Sequence, residues 1–498
     1  YKYEKQRYID PLYEWRLYLL NPPKFFITKK HFLFKKKRRK KIKKKKKPQK
    51  NAAPNPSKKF TLQYAIPAII AMTASSLYNM VDSIFIGHGV GPLAISGLAI
   101  TFPLMNLAAA FGSLVGVGAS TLVSVKLGQK DYATAQNILG NVVTLNFIIG
   151  IGFSILTLLF LDPILYFFGA SPDTISYARD YMVIILLGNV ITHMYLGLNA
   201  LLRASGHPQK AMIATITTVI INTILDPIFI YLFHWGIQGA AIATILAQII
   251  ALVWQFKTFT NKNELLHLHR GIYKLRGTIV KNTIAIGMSP FLMNLAACFI
   301  VIFINKGLKE YDGDLAIGAF GIVNRIVFLF VMIVMGLNQG MQPIAGYNFG
   351  AQQYHRVNQV LKLTIYGATT VTTTGFLVGE LMPELAVSAF TTHEGLIQLS
   401  ATGLRIVVIF FPIIGFQMVT SNFFQSIGMA GKAIFLSLTR QLLFLLPCII
   451  LLPLFWGSAG IWWSMPISDL AASIVAGVML YRQFKIFNTH GNKLKVEN

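Results

Sequence analysis

The chain is 498 residues long, 54% of them hydrophobic, with a mean hydropathy of +0.56 and a formal net charge of +27. So apolar a composition excludes an ordinary soluble domain, which would have to cover a very large core with few charges. The positive charge is local: residues 1–59 hold 22 Lys/Arg and 3 Asp/Glu, so it says little about the remainder.

Residues 1–57 have no clean helical or strand period and are dominated by Lys, Pro and aromatic side chains. A run such as Phe34 to Lys47 could bind nucleic acid, but a solvated tail beside an anionic cytoplasmic leaflet is the expected reading, and no nucleic-acid partner is expected. The first methionine is Met72, already inside an apolar stretch. The segment is therefore taken as a disordered or non-native N-terminal extension, and it lacks the apolar core of a signal peptide.

From residue 60 onward, twelve stretches are long enough to cross a hydrocarbon layer of about 30 Å. They lie near 61–86, 92–124, 135–161, 175–202, 208–232 and 236–257, then 280–304, 314–342, 358–382, 397–423, 432–454 and 457–483. Basic residues mark alternate loops: Lys126 and Lys130, Arg203 and Lys210, the segment 258–281, Arg356, Lys432, Arg482 and Lys485. The positive-inside rule then puts both termini on the cytoplasmic side of a cytoplasmic (inner) membrane.

The two halves repeat at an offset of 222 residues: Gly118 pairs with Gly340, Gly128 with Gly350, and Gly206-Lys210 with Gly428-Lys432. Each half has an even number of spans, so the repeats are parallel, a form in which two halves rock around a central site. The expectation is an all-α membrane protein of twelve transmembrane helices in two homologous six-helix lobes, 60–257 and 282–485. A basic linker, 258–281, joins them, and a cytoplasmic tail, 486–498, follows. No phosphate-binding GxxxxGK[ST] loop and no metal or nucleophile motif is present, which argues against an ATP-driven machine or an enzyme. Cys298 and Cys448 both lie in apolar runs and give no disulfide framework or metal spacing.

Three carboxylates, Asp82, Asp226 and Asp469, lie within apolar runs, where a charge costs roughly 2.5–3.5 kcal/mol on insertion scales. Counting about 1.5 Å per residue, Asp82 sits about 6 Å below the outer end of the first span. On the same count Asp226 lies about 9 Å below the end of the fifth span, and Thr244 about 12 Å down the sixth. Asn222 is one turn from Asp226 on the same face. Two carboxylates in one low-dielectric layer need a neutraliser: a proton, a sodium ion or an organic cation. Pro227 cannot donate to the carbonyl of Thr223, and Pro67 leaves Gln63 likewise. Pro290 occupies nearly the equivalent place in the seventh span, so all three are expected helix-kink positions. Tyr78, Tyr181 and Asn199 are the polar candidates for a substrate cavity, and Asp469 is a candidate for a second acidic site.

Three segments carry a resemblance. Ser76 to Gly87 (SLYNMVDSIFIG), Asn222 to Phe229 (NTILDPIF), and Gly336 to Gly350 with its Gln339-Gly340-Met341-Gln342-Pro343 core resemble signatures of the multidrug and toxic compound extrusion (MATE) family, most like its bacterial MepA branch. The resemblance covers about 60–485. It implies an antiporter that exports organic cations in exchange for Na⁺ or H⁺ by alternating access, with no cofactor beyond the coupling ion. It also implies that Asp82, Asn222, Asp226 and Thr244 occupy the cation-site positions. The expected partners are the lipid bilayer and cationic or amphiphilic small molecules, and the expected state is a monomer. Two other readings stay open. One is a lipid-linked oligosaccharide flippase of the same superfamily, for which Arg325, Arg405 and Arg440 would be the basic cavity candidates. The other is a membrane sensor or scaffold that transports nothing.

Overall fold

The computed structural model describes residues 58–496; the N-terminal extension expected from the sequence lies outside the described residues up to residue 57, and its last two residues, Lys58 and Lys59, begin the first helix. The first six long helices are α1 (Lys58–Gly89), α2 (Pro92–Gly128), α3 (Tyr132–Leu159), α4 (limbs Ile175–Leu187 and Asn189–Ala204), α5 (Pro208–Leu232) and α6 (Gly236–Thr260). The second six are α7 (Gly277–Asp312), α8 (Asp314–Gly350), α9 (Tyr354–Leu381), α10 (limbs Glu394–Val408 and Phe411–Ser426), α11 (Ala430–Trp456) and α12 (Ser458–Val496).

Among the described residues, nine helices are long and apolar enough to cross a membrane, and eleven are if each bent pair is one span. The twelfth is α9, which is 28 residues long but rich in threonine. Four of its six threonine hydroxyls are returned to its own backbone: Thr364 Oγ1 donates to Val360 O, Thr370 to Tyr366 O, Thr372 to Ala368 O and Thr374 to Thr370 O. A hydroxyl bonded one turn back presents no unsatisfied group to a lipid or a neighbouring helix, so the segment suits a bilayer better than its residue-by-residue hydropathy says. Large apolar side chains such as Leu156, Leu159, Leu232, Leu381, Leu454 and Phe455 are exposed, as lipid-facing surfaces require.

Helices α4 and α10 each bend by 55°. The breaks fall at Gly188 and at Phe410, which are 222 residues apart and so equivalent in the repeat. In α10 the cause is Pro412 in the first turn of the second limb, which has no N–H to continue the ladder. In α4 the side chain of Ile245 packs where a Cβ of residue 188 would stand, and Ser154 Oγ donates to the carbonyl of Leu186 at 2.7 Å. Neither bend was expected from the sequence. Conversely, α1 and α7 run as single helices through Pro67 and Pro290.

The lobes exchange the starts of their first helices. Tyr64 on α1 packs in an apolar cluster built from α8, α9, α10 and α12, while Ile279 and Ile286 on α7 pack in a cluster built from α2, α3 and α4. Tyr64 and Ile286 are again 222 residues apart. Glycines make the close approach possible. A Cβ at Gly340 would stand 2.6 Å from the Cα of Ala65, and one at Gly118 would stand 1.9 Å from the carbonyl oxygen of Thr283.

The segment between α6 and α7 is fixed to the first lobe. Gln136 on α3 pairs with both backbone groups of His267, accepting from its N–H at 3.2 Å and donating to its carbonyl. Asn141 donates to Lys274 O at 3.1 Å and accepts from Arg276 N at 2.8 Å, and Thr144 Oγ1 donates to Tyr273 O at 2.8 Å. A basic stretch that reads as a linker is therefore a strap across the end of α3.

Candidate cation-binding site

Asp82, Asn222, Asp226 and Thr244 come together between α1, α5 and α6, each 5% exposed or less. They lie in the half of the first lobe away from the basic ends of the helices, because α1 and α5 run toward that end and α6 starts there. Asn222 and Asp226 share a face of α5 by i, i+4 spacing. Asn222 Nδ2 donates to Asp226 Oδ1 at 3.1 Å and to Thr244 Oγ1 at 3.3 Å. Asp82 on α1 brings a second buried carboxylate to the group.

Local sequence explains the placement. Pro227 cannot donate to the carbonyl of Thr223, and just beyond it α5 widens into a π turn over Ile228–Leu232. That turn brings Phe229, Phe233 and Trp235 into one aromatic cluster, with ring centroids 5.0 to 5.8 Å apart. Gly239 lets α6 start against the backbone of Phe229, 3.0 Å from where a Cβ would be. Tyr231 Oη donates to the carbonyl of Phe85 at 3.2 Å, which ties the end of α5 to α1 one turn beyond Asp82.

Three buried oxygens of this group have no hydrogen-bond partner: Asp82 Oδ1, Asp226 Oδ2 and Asn222 Oδ1. Buried polar atoms are almost always satisfied, and these three unpartnered acceptors belong to residues of one cluster. Carboxylate, amide and hydroxyl oxygens are hard ligands, suited to an alkali cation, and the paired carboxyls equally suit a shared proton.

The other sequence candidates fall elsewhere. Tyr181 is fully buried in the apolar cluster of α2, α4, α5 and α6, so it lines no open cavity here. Asn199 is a packing residue: it donates to Ala211 O at 3.0 Å and Thr215 Oγ1 at 3.3 Å and accepts from Arg203. Tyr78 is on α1, and its side chain lies outside the described residues. Asp469 on α12 accepts from Arg440 Nε on α11, so it belongs to an ion pair of the second lobe rather than to an open acidic site.

Gln342 was read from the sequence only as part of a family signature, and its contact across the lobes was not expected. Gln342 on α8 reaches across the lobe boundary, donating to Ser120 Oγ at 2.9 Å and Thr121 Oγ1 at 2.7 Å on α2. Ser120 and Gln342 are equivalent in the repeat, so the contact lies on its axis. Below it, a Cβ at Gly128 would stand 2.0 Å from Tyr347 O, and one at Gly350 would stand 2.1 Å from Val125 O. These four residues are also related pairwise by the 222-residue offset. The register of the repeat was the signal that could have located this seam.

Comparison with known proteins agrees with this architecture. The MatE family model matches residues 67–228 and 286–450, once in each half. The chain is 27% identical over 423 residues to the multidrug export protein MepA of Staphylococcus haemolyticus (strain JCSC1435), covering 85% of this chain and 93% of that one. It is 26% identical over 431 residues to MepA of Staphylococcus aureus (strain NCTC 8325 / PS 47), covering 86% and 94%. Among solved structures, the MATE multidrug transporter DinF-BH superposes with a TM-score of 0.81 at 33% identity, covering 86% of this chain and 96% of that one. The outward-facing conformation of a multidrug resistance MATE transporter gives a TM-score of 0.82 at 23% identity, covering 88% and 98%, and speaks for the fold alone. With both halves matched, and with twelve helices in two lobes, the chain belongs to the MatE family of membrane transporters.

Proposed function

We propose that this protein is a secondary active multidrug exporter that exchanges organic cations for Na⁺ or H⁺. The observation that carries the reading is the group of three unpartnered buried oxygens on Asp82, Asn222 and Asp226. A cation there gains acceptors that are otherwise desolvated without compensation. Two positive species cannot both occupy one small anionic layer, so entry of the ion displaces the drug. Alternating access couples the two fluxes if the lobes part at one end only when they close at the other. The names of the MepA and DinF-BH relatives support drug export as the outcome. The protein acts as a monomer in the cytoplasmic membrane, with both termini and the basic strap on the cytoplasmic side. It needs no cofactor beyond the coupling ion.

The test is Asp226→Asn in proteoliposomes. The amide keeps the shape of the carboxylate but can neither titrate nor neutralise a cation. Ion-driven accumulation of a fluorescent organic cation should be abolished, while insertion and thermal stability are kept. A variant that accumulates the cation at the wild-type rate under the same ion gradient would sink the assignment.

A further inference from the structure

Arg203 lies in the last turn of the second limb of α4, and the exchange cycle does not use it. Its Nη1 donates to Asn199 Oδ1, and Asn199 is itself held by Ala211 and Thr215. The side chain is mostly buried, and it faces Ser120 and Ser124 of α2 and Gln339, Gln342 and Pro343 of α8 across a gap too narrow for a water molecule. Arg179 and Arg440 each meet a carboxylate, but among the described residues Arg203 meets none. A guanidinium set among amides and hydroxyls keeps its full charge, and an unpaired charge within a membrane protein is costly to hold without use. The simplest structural role would be to complement the negative end of the α4 dipole. A basic residue turned to solvent would serve that purpose, whereas this one points into the seam between the lobes.

We propose that Arg203 is a charge barrier on the path between the lobes, which stops the coupling cation from leaking toward the basic end of the bundle when no substrate is carried. The proposal rests on the cation-exchange reading above. Gln342 and the Gly128 and Gly350 contacts seal the seam by packing, and Arg203 adds the electrostatic part of the seal. With an effective dielectric of about 20, a unit charge makes a monovalent cation more than about ten-fold rarer at roughly 10 Å. Positive charge at a constriction excludes cations from other membrane pores by the same physics.

The experiment compares wild type, Arg203→Gln and Arg203→Lys in proteoliposomes under an inward Na⁺ or H⁺ gradient with no organic cation present. Tracer sodium or an internal pH dye reads the leak. The expected result is a leak about ten-fold or more above wild type in Arg203→Gln, and a leak close to wild type in Arg203→Lys. Arg203→Met replaces Arg203→Gln if the latter does not reconstitute, with the same expectation. A leak unchanged in the neutral variant overturns the proposal, and so does an equal rise in the neutral and lysine variants, which would mean packing rather than charge. Ion-driven export by the wild type is measured in the same vesicles. Its absence would count against the exchange reading, while the leak comparison alone judges the barrier.

Discussion

Replacing Gly350 with Ala should push the lobes apart at the basic end of the bundle. The new Cβ would stand 2.1 Å from the carbonyl oxygen of Val125. A comfortable C···O approach is about 3.3 Å, so α8 must move away from α2 by more than about 1 Å. No side chain can yield instead, because both partners are backbone. Overpacking of this kind costs about 1–3 kcal/mol, which weights the closed seam down by roughly 5- to 150-fold. Gly128→Ala should act the same way, since its Cβ would stand 2.0 Å from Tyr347 O in the equivalent contact. Spin labels at Gln129 and Gln353, in a background with Cys298 and Cys448 replaced, would report the separation by double electron–electron resonance. Each alanine variant should shift the distribution toward longer distances and lower the melting temperature. Wild-type distances in both variants would show that the seam is not tightly packed, and the reasoning would fail.

Two further predictions concern the strap. Asn141→Leu removes the partners of Lys274 O and Arg276 N, and leaving such groups unsatisfied costs about 1–3 kcal/mol each. Hydrogen exchange across 262–276 should accelerate, with little change in α1 or α5; unchanged protection would contradict the docking. The second concerns His207, whose Nε2 lies 3.1 Å from Glu264 Oε2, while Lys210 Nζ holds the other oxygen at 2.7 Å. Burial lowers the pKa of His207, with Glu264 opposing and Lys210 assisting the shift. The folded state thus favours the neutral ring: its stability contribution is full above the ordinary histidine value of about 6.5 and is lost as pH falls below it. Proteolysis of the strap should quicken as pH falls through that range, and His207→Gln should flatten the profile.

Much of this was legible because it is local or periodic. Twelve apolar runs, the offset of 222 residues, and the i, i+4 pair Asn222 and Asp226 are all one-dimensional signals. Depth counting could place Asp82 beside Asp226 because both lie a few residues from a span end. What could not be read depends on contacts made far along the chain. Arg203 reads as a loop flank until α8 folds over it, and Asn199 reads as a cavity residue until Thr215 and Arg203 claim its amide. The strap reads as a linker because its anchors, Gln136, Asn141 and Thr144, are ordinary polar residues on an apolar helix. Asp469 reads as an open acid because Arg440 is 29 residues away. The bend of α10 was marked by Pro412, whereas that of α4 has only Gly188 and the side chain of Ile245 to account for it.

The central claim is that drug and coupling ion contend for the same carboxylates. Its most direct measurement is the binding of tetraphenylphosphonium to purified protein in nanodiscs, titrated at a series of Na⁺ concentrations and at a series of pH values. The account predicts that the apparent Kd rises in proportion to one of the two ions, by about ten-fold for each ten-fold increase above its own binding constant. In Asp226→Asn the dependence should vanish. An affinity indifferent to both Na⁺ and pH in the wild type, or a dependence that survives intact in Asp226→Asn, would contradict it.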